Sequence, residues 1–379
     1  MILRLLASLA FAAFLQTLSP TVLAETPAPP QVAAGAWLLM DTASGQVLTS
    51  HNEHERVEPA SLTKLMTAYL TFAALKAKTL QLTQTIPVST RAWKAGGSRM
   101  FIEPKKPVTV EELVNGMIVQ SGNDACIALA EAIAGSEEVF AQLMNREARR
   151  LGMKDTNFVN STGLPDPKHY SSAYDLALIA AAIIRDFPEY YHYYSTREYS
   201  YNNITQPNRN RLLWLDPNVD GVKTGHTENA GYCLIASAKR AQWRLMSVVL
   251  GTASEGMRAQ ESQKLLNFGF QLYDSVRLYD RGQAVSTVKV WKGSERTLRA
   301  GIPAGLSVTV PKGMADKVKA DLISRQPLLA PVSEGDRVGT LRVSLEDKLI
   351  GEYPVVALQS IATAGMFGRA WDTMRLWFN

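Results

Sequence analysis

Hydrophobic and polar positions along the chain change period several times, and the changes mark out elements. Trp37-Leu-Leu-Met40 and Gln46-Val-Leu-Thr49, separated by a turn at Asp41–Gly45, read as a strand hairpin. From Leu62 the apolar residues recur at Leu65, Met66, Tyr69, Phe72 and Ala73, which predicts an amphipathic helix to about Lys76. A second helix opens at Thr109-Val-Glu-Glu112, where Thr109 and Glu112 can satisfy each other's backbone donors, and breaks near Ser121-Gly122-Asn123. A third begins around Asp124 and ends at Gly135. A fourth, capped by Ser136, stops at Gly152. A stretch rich in Pro, Asn and Tyr follows and reads as loop. Strand-like runs return at Tyr232–Ala238 and Trp243–Leu250, before a helix around Arg258–Phe270. Strands at both ends of a helical block predict an α+β domain, an antiparallel sheet with helices on its faces, over 36–276. From 277 to 356 short alternating runs between Gly, Pro and charged turns predict a small all-β domain.

Both ends of the chain are unusually apolar. Residues 1–24 carry Arg4, an apolar run from Leu5 to Leu15, and Val22 and Ala24 before Glu25, the pattern of a cleaved secretory signal peptide. The run is shorter than the ~20 apolar residues a membrane span needs. Pro- and Ala-rich residues 25–35 read as a linker. In 357–379, Phe367, Trp371, Met374 and Phe378 share one helical face and Arg369, Asp372 and Arg375 lie elsewhere. Such a helix suits a membrane interface, although packing of the same face on the β domain gives the same period.

Composition narrows the class without selecting a chemistry. At 379 residues, 46% hydrophobic and 20% charged, the chain has the length of two or three domains and is not globally disordered. A formal charge of +5 with no basic tract gives no support for nucleic-acid binding. Cys126 and Cys233 are the only cysteines, and whether they pair cannot be read from spacing. The five histidines are scattered and no cluster has metal-ligand spacing, so no metal or other cofactor is expected.

Three short motifs carry the chemistry. In Ser61-Leu-Thr-Lys64 the lysine lies one helical turn from the serine and can fold its amine onto the hydroxyl. To act as base it must lose its proton, which requires burial or a neighbouring cation. Ser121-Gly-Asn123 offers a hydroxyl for proton relay and an amide for a substrate carbonyl. Lys223-Thr-Gly225-His226 precedes a strand, where Gly225 would let a substrate backbone approach, Lys223 supply positive field and Thr224 a hydroxyl for a carboxylate. Each motif alone is also an ordinary cap or turn. In this order they form the motif set of serine penicillin-recognising acyl transferases.

The resemblance is closer than the motifs. EPASLTKLMTAYL, MIVQSGNDACIALAE, QPNRNRLLW and VDGVKTGHTENAGYCLIASAKR, as well as the tail, resemble the blocks of the low-molecular-mass penicillin-binding proteins of type 5/6, the D-alanyl-D-alanine carboxypeptidases of serine peptidase family S11. The resemblance implies a penicillin-binding, β-lactamase-like transpeptidase fold with a helical subdomain. It implies Ser61 as acyl-ester nucleophile, Lys64 as general base, and Ser121 and Asn123 in the proton network. Lys223 and Thr224 would hold the substrate's terminal carboxylate beside Gly225, with the backbone N–H groups of Ser61 and His226 as oxyanion hole. Arg258 matches a family arginine that also faces the carboxylate. Expected partners are peptidoglycan pentapeptides ending in D-Ala-D-Ala, β-lactams, and the inner membrane on its periplasmic face through the C-terminal helix. A class A β-lactamase would use a glutamate after the second motif, and no glutamate occurs between Glu147 and Glu189; Asp166 and Asp175 do not stand in that pattern. A transpeptidase shares the motifs too. A catalytically silent wall-binding protein would have no need of Ser61.

Overall fold

The computed structural model describes residues 28–376; the expected signal peptide lies outside them. Strands β1 (Ala36–Asp41) and β2 (Val47–His51) form the expected hairpin. A 3₁₀ turn at Ala60–Thr63 leads into helix α1 (Lys64–Lys76). Helices α2 (Val110–Val119), α3 (Asn123–Ala134) and α4 (Glu137–Arg150) follow. Thr109 and Glu112 close the capping box at α2, and the Ser136 side chain caps α4.

Two sequence expectations are corrected here. Helix α1 is not amphipathic: Lys64, Leu65, Thr67, Ala68, Tyr69, Thr71 and Phe72 are all buried, so it runs through the interior with protein on nearly every side. The stretch read as loop contains helix α5 (Ala173–Asp186), N-capped by the Ser172 hydroxyl. Its apolar run was legible, but the preceding Pro- and Asn-rich residues masked where it starts.

Strands β3 (Val219–Thr227), β4 (Gly231–Arg240) and β5 (Trp243–Thr252) complete an antiparallel sheet of order β2-β1-β5-β4-β3. Period two sends alternate side chains to two cores. Leu38, Met40, Ile235 and Val248 pack with Leu65, Met66 and Phe72 of α1 on one face. Leu39, Leu234, Ala236 and Val249 pack with Leu265 and Leu266 of helix α6 (Glu255–Leu272) on the other. The edge strand β3 is therefore held from both layers and presents one free edge beside the start of α1.

A strand begins at Tyr273, directly after α6, and pairs with Leu306–Pro311. It opens an all-β domain around Val288, Leu298, Val308, Val338, Leu341 and Val355. This domain meets the first through Thr309, whose hydroxyl donates to Asp41 Oδ2 and whose backbone exchanges hydrogen bonds with the Gln46 amide. Residues 361–364 belong to it, since Ile361 is buried and Val332 and Ile361 exchange backbone hydrogen bonds. Helix α7 (Met366–Leu376) stands beyond it with no buried residue.

Candidate active site

The nucleophile turn is strained. Ala60 has a φ of +48°, which places Ser61 at the end of a tight turn opening α1. Lys64 Nζ lies 3.0 Å from Ser61 Oγ, 2.7 Å from Asn123 Oδ1 and 2.6 Å from the Thr162 carbonyl oxygen. An ammonium donates to all three. Once neutral, the amine keeps its two N–H groups on Asn123 and Thr162, and its lone pair is left facing the Ser61 hydroxyl. Burial pushes the Lys64 amine down to about 8, with the Arg209 cation adding to that, so the base form is accessible near neutral pH.

The second motif is aimed by strain and by a buried carboxylate. Ser121 has a φ of +58° at the break between α2 and α3. Its hydroxyl accepts from Lys223 Nζ at 3.0 Å. Asn123 donates its Nδ2 to the Gly96 carbonyl at 2.7 Å, which fixes Oδ1 toward Lys64. Asp124, buried on the next position, accepts from the backbone N–H groups of Met100, Phe101 and Ile102 and so pins the loop that carries Ser98.

The third motif lies on the free edge of β3. Gly225 is required by proximity: a Cβ there would stand 3.1 Å from the Pro59 carbonyl oxygen and 3.2 Å from Leu62 Cγ. Glu58 joins this strand to the nucleophile turn, accepting from Thr227 Oγ1 at 3.0 Å and Asn229 Nδ2 at 3.1 Å. Ser61 and His226, expected to supply the two oxyanion donors, are thereby fixed relative to each other. Burial, and then the Lys64 cation, hold the Lys223 amine well below its usual value. Arg258, buried on α6, donates to the carbonyls of Gly225 and Arg209, both at 3.3 Å, pairs with Glu255 at 3.2 Å and lies over the Tyr232 ring.

A cavity of 250 Å³ is lined by Ser61, Ser121, Thr224, Gly225, His226 and Arg258, all singled out in the sequence. Lys64, Asn123 and Lys223 sit beneath it in the hydrogen bonds just described. Ser98, Arg209, Tyr232 and Glu255 also line it and were missed. Arg209 stood in the quoted block QPNRNRLLW, but nothing in its spacing said that it would reach Ser98 Oγ at 2.8 Å, 111 residues away. The Thr162 carbonyl carries no side-chain signal at all. Asp175 is buried against Thr156 Oγ1 and the Asp155 N–H, and Asp166 accepts from the Lys168 N–H; neither lines the cavity. Cys126 and Cys233 are both buried and unbridged.

A serine with a buried lysine base, facing a free strand edge and flanked by cations, defines an active-site serine acyl transferase that accepts a carboxylate-bearing peptide. The sequence profile of the D-alanyl-D-alanine carboxypeptidases matches residues 23–254, and that of the penicillin-binding protein 5 C-terminal domain matches 273–363. The D-alanyl-D-alanine carboxypeptidase DacC of Escherichia coli is 43% identical, the alignment covering 97% of this chain and 94% of that protein. The crystal structure of penicillin-binding protein 5 from Haemophilus influenzae superposes with a TM-score of 0.83 at 40% identity, covering 89% of this chain and 99% of that one. Penicillin-binding protein D2 of Listeria monocytogenes, in its cefotaxime-bound form, superposes with a TM-score of 0.60 at 29% identity over 64% of this chain and 100% of that one. The chain belongs to the D-alanyl-D-alanine carboxypeptidase family of serine peptidases.

Proposed function

We propose the following division of labour for the D-Ala-D-Ala carboxypeptidase reaction. The terminal carboxylate of a peptidoglycan pentapeptide sits against Thr224 and Arg258, and its arrival favours the ammonium form of Lys223. Neutral Lys64 takes the Ser61 proton as Oγ attacks the carbonyl between the two D-alanines. The backbone N–H groups of Ser61 and His226 receive the developing oxyanion, where loss of one donor typically costs ~10²–10³ in rate. Ser121, hydrogen-bonded to Lys223, gives its hydroxyl proton to the departing D-alanine nitrogen and takes one in return from the Lys64 ammonium, so that the Ser61 proton ends on the leaving amine. Water then hydrolyses the ester. The observation that carries this reading is Lys64 Nζ, held 3.0 Å from Ser61 Oγ with its other contacts spent on Asn123 and Thr162.

β-Lactams acylate the same serine and leave slowly, because no carboxylate of the 147–189 segment lines the cavity to activate water against that ester. The protein is exported and lies on the periplasmic face of the inner membrane. The exposed face of α7 supports attachment there: Phe367 is 93% and Trp371 54% exposed, so this face is not packed on the β domain. No helix among the described residues is long and apolar enough to cross a membrane. Mass spectrometry after incubation with penicillin tests the site: a stable adduct on Ser61, absent in Ser61→Ala, is expected, and an unmodified serine in the wild type refutes it. Release of D-alanine from a D-Ala-D-Ala pentapeptide separates this enzyme from a silent wall-binding protein.

A further inference from the structure

The segment that brings the Thr162 carbonyl to Lys64 is fastened to the nucleophile turn by a histidine. His169 is buried just ahead of α5. Its Nδ1 lies 3.2 Å from the Val159 backbone nitrogen and its Nε2 2.8 Å from Thr63 Oγ1. The Val159 N–H can only donate, so Nδ1 must carry the lone pair and Nε2 the hydrogen. The ring therefore donates to Thr63, the chain neighbour of Lys64. The Phe158 ring meets the imidazole edge to face, with centroids 5.7 Å apart.

This one side chain closes the base of a loop. Val159 and His169 stand at its two ends, while Thr162 and Gly163 at its tip touch Lys64 and the Ala60 carbonyl. The tip is stiff: Asn160 Oδ1 accepts from the backbone N–H groups of Thr162 and Gly163. It is also held laterally. Glu137, at the start of α4, accepts from the Ser161 N–H and hydroxyl, and Thr67 of α1 donates to the Ser161 carbonyl. Those contacts fasten the tip to helices, whereas His169 fastens the base to the turn that carries Ser61. Burial pushes the imidazole down to about 4 against the fields of Asp166 and Glu58, with the Lys64 cation adding to the fall. It is thus neutral wherever Lys64 can shed its proton, and the single tautomer persists. His169 does not line the cavity.

We propose that His169 is a positioning residue for acylation: bridging Val159 to Thr63, it keeps the 158–169 loop closed over Lys64 and holds water off the amine. The inference rests on Lys64 as the general base and deepens that reading. Two effects follow when the bridge is cut. Withdrawal of the Thr162 carbonyl removes an acceptor that favours the ammonium, while hydration of the socket removes the burial that opposes it. Burial is the largest cause of the lowered Lys64 value, so hydration wins and the amine becomes harder to deprotonate. Cys126, Arg209, Asp124 and Lys223, whose charges also act with Lys64, are left in place by every variant below.

The test measures the second-order rate of acylation of the full chain by a fluorescent penicillin from pH 6 to 10. His169→Asn sets an amide oxygen near the Nδ1 position, which serves Val159, but it cannot reach Thr63. His169→Gln sets an amide nitrogen near the Nε2 position and keeps the bond to Thr63. Thr63→Val removes the acceptor with little change of shape. His169→Asn and Thr63→Val should each move the midpoint of the profile up by about one pH unit, lower the rate at pH 7 about tenfold and leave the plateau at high pH within about threefold. His169→Gln should keep the wild-type midpoint. An unmoved midpoint in His169→Asn and Thr63→Val, whatever the fall in rate, overturns the proposal, because a merely structural role lowers the rate at every pH alike. A midpoint displaced as far in His169→Gln overturns it too. Should His169→Asn fail to fold, Thr63→Val alone decides in the same way. A wild-type profile that is flat from pH 6 to 8 overturns Lys64 as base instead.

Discussion

Lys64 occupies a buried socket in which its amine meets Ser61, Asn123 and the Thr162 carbonyl. Its protonated form is disfavoured there, with the amine brought from 10.5 to about 8. At neutral pH that displacement costs the fold about 3 kcal/mol. Between about pH 8 and 10.5 the unfolded chain binds the extra proton, so stability contributed by this residue rises with pH across that window. Urea unfolding of the wild type against Lys64→Met should show the difference moving in favour of the wild type from pH 8 to 10. Catalysis has the same origin: kcat/KM should rise about tenfold per pH unit below 8 and level off above it. A profile flat from pH 6 to 8 would remove Lys64 as base. Side chains that carry chemistry by type were legible at this scale, because a serine, a lysine and an amide announce what they can do. Arg209 and the Thr162 carbonyl were not, because one signals only a cation and the other is present at every residue.

Among the elements, the segment 160–165 decides the depth of the socket. Gly163 has a φ of +85°, and a Cβ there would lie 1.8 Å from the Ala60 carbonyl oxygen, so only glycine lets this loop close over the nucleophile turn. Gly163→Ala should push the loop outward and carry the Thr162 carbonyl off Lys64. The expected loss is at least about 2 kcal/mol of stability, read from urea unfolding. A fall of ~10² in kcat/KM should accompany it, since a displacement near 1 Å is enough for that. Wild-type turnover in Gly163→Ala would show that the Thr162 contact is dispensable. The helix starts were legible here because caps are local: Thr109 with Glu112, and Ser136, are visible within four residues. The burial of α1 on nearly every side was not, since Thr67 and Thr71 look like a polar face until the backbone carbonyls of Ser161 and Thr67 accept from their hydroxyls.

For the whole molecule, the boundary of the β domain sets how the C-terminal helix can be tested. The segment 357–379 read from sequence as a tail begins with Ala357 and Ile361, both buried, so deletion of all of it would remove core residues. Truncation after Gly365 leaves that core intact. The truncated protein should hydrolyse pentapeptide at the wild-type rate while losing binding to anionic vesicles in a sedimentation assay. Retained vesicle binding would place the attachment elsewhere. Asp372, which accepts from the Lys292 backbone N–H at 2.6 Å, ties this helix to the β domain by its polar side and leaves the aromatic side outward.

The sequence by itself determined the local matters: helix starts, the two-sided alternation of the sheet strands, the three motifs and their order. Each depends on residues within a few positions of one another, where period, capping and residue type act directly. Only the tertiary structure decided the state of Lys64, the role open to Arg209, the closeness of Gly225 to Pro59 and the tautomer of His169. All four arise where segments far apart in the chain meet. There burial strips water from a charge, and backbone groups become partners through the path of the fold rather than through their identity.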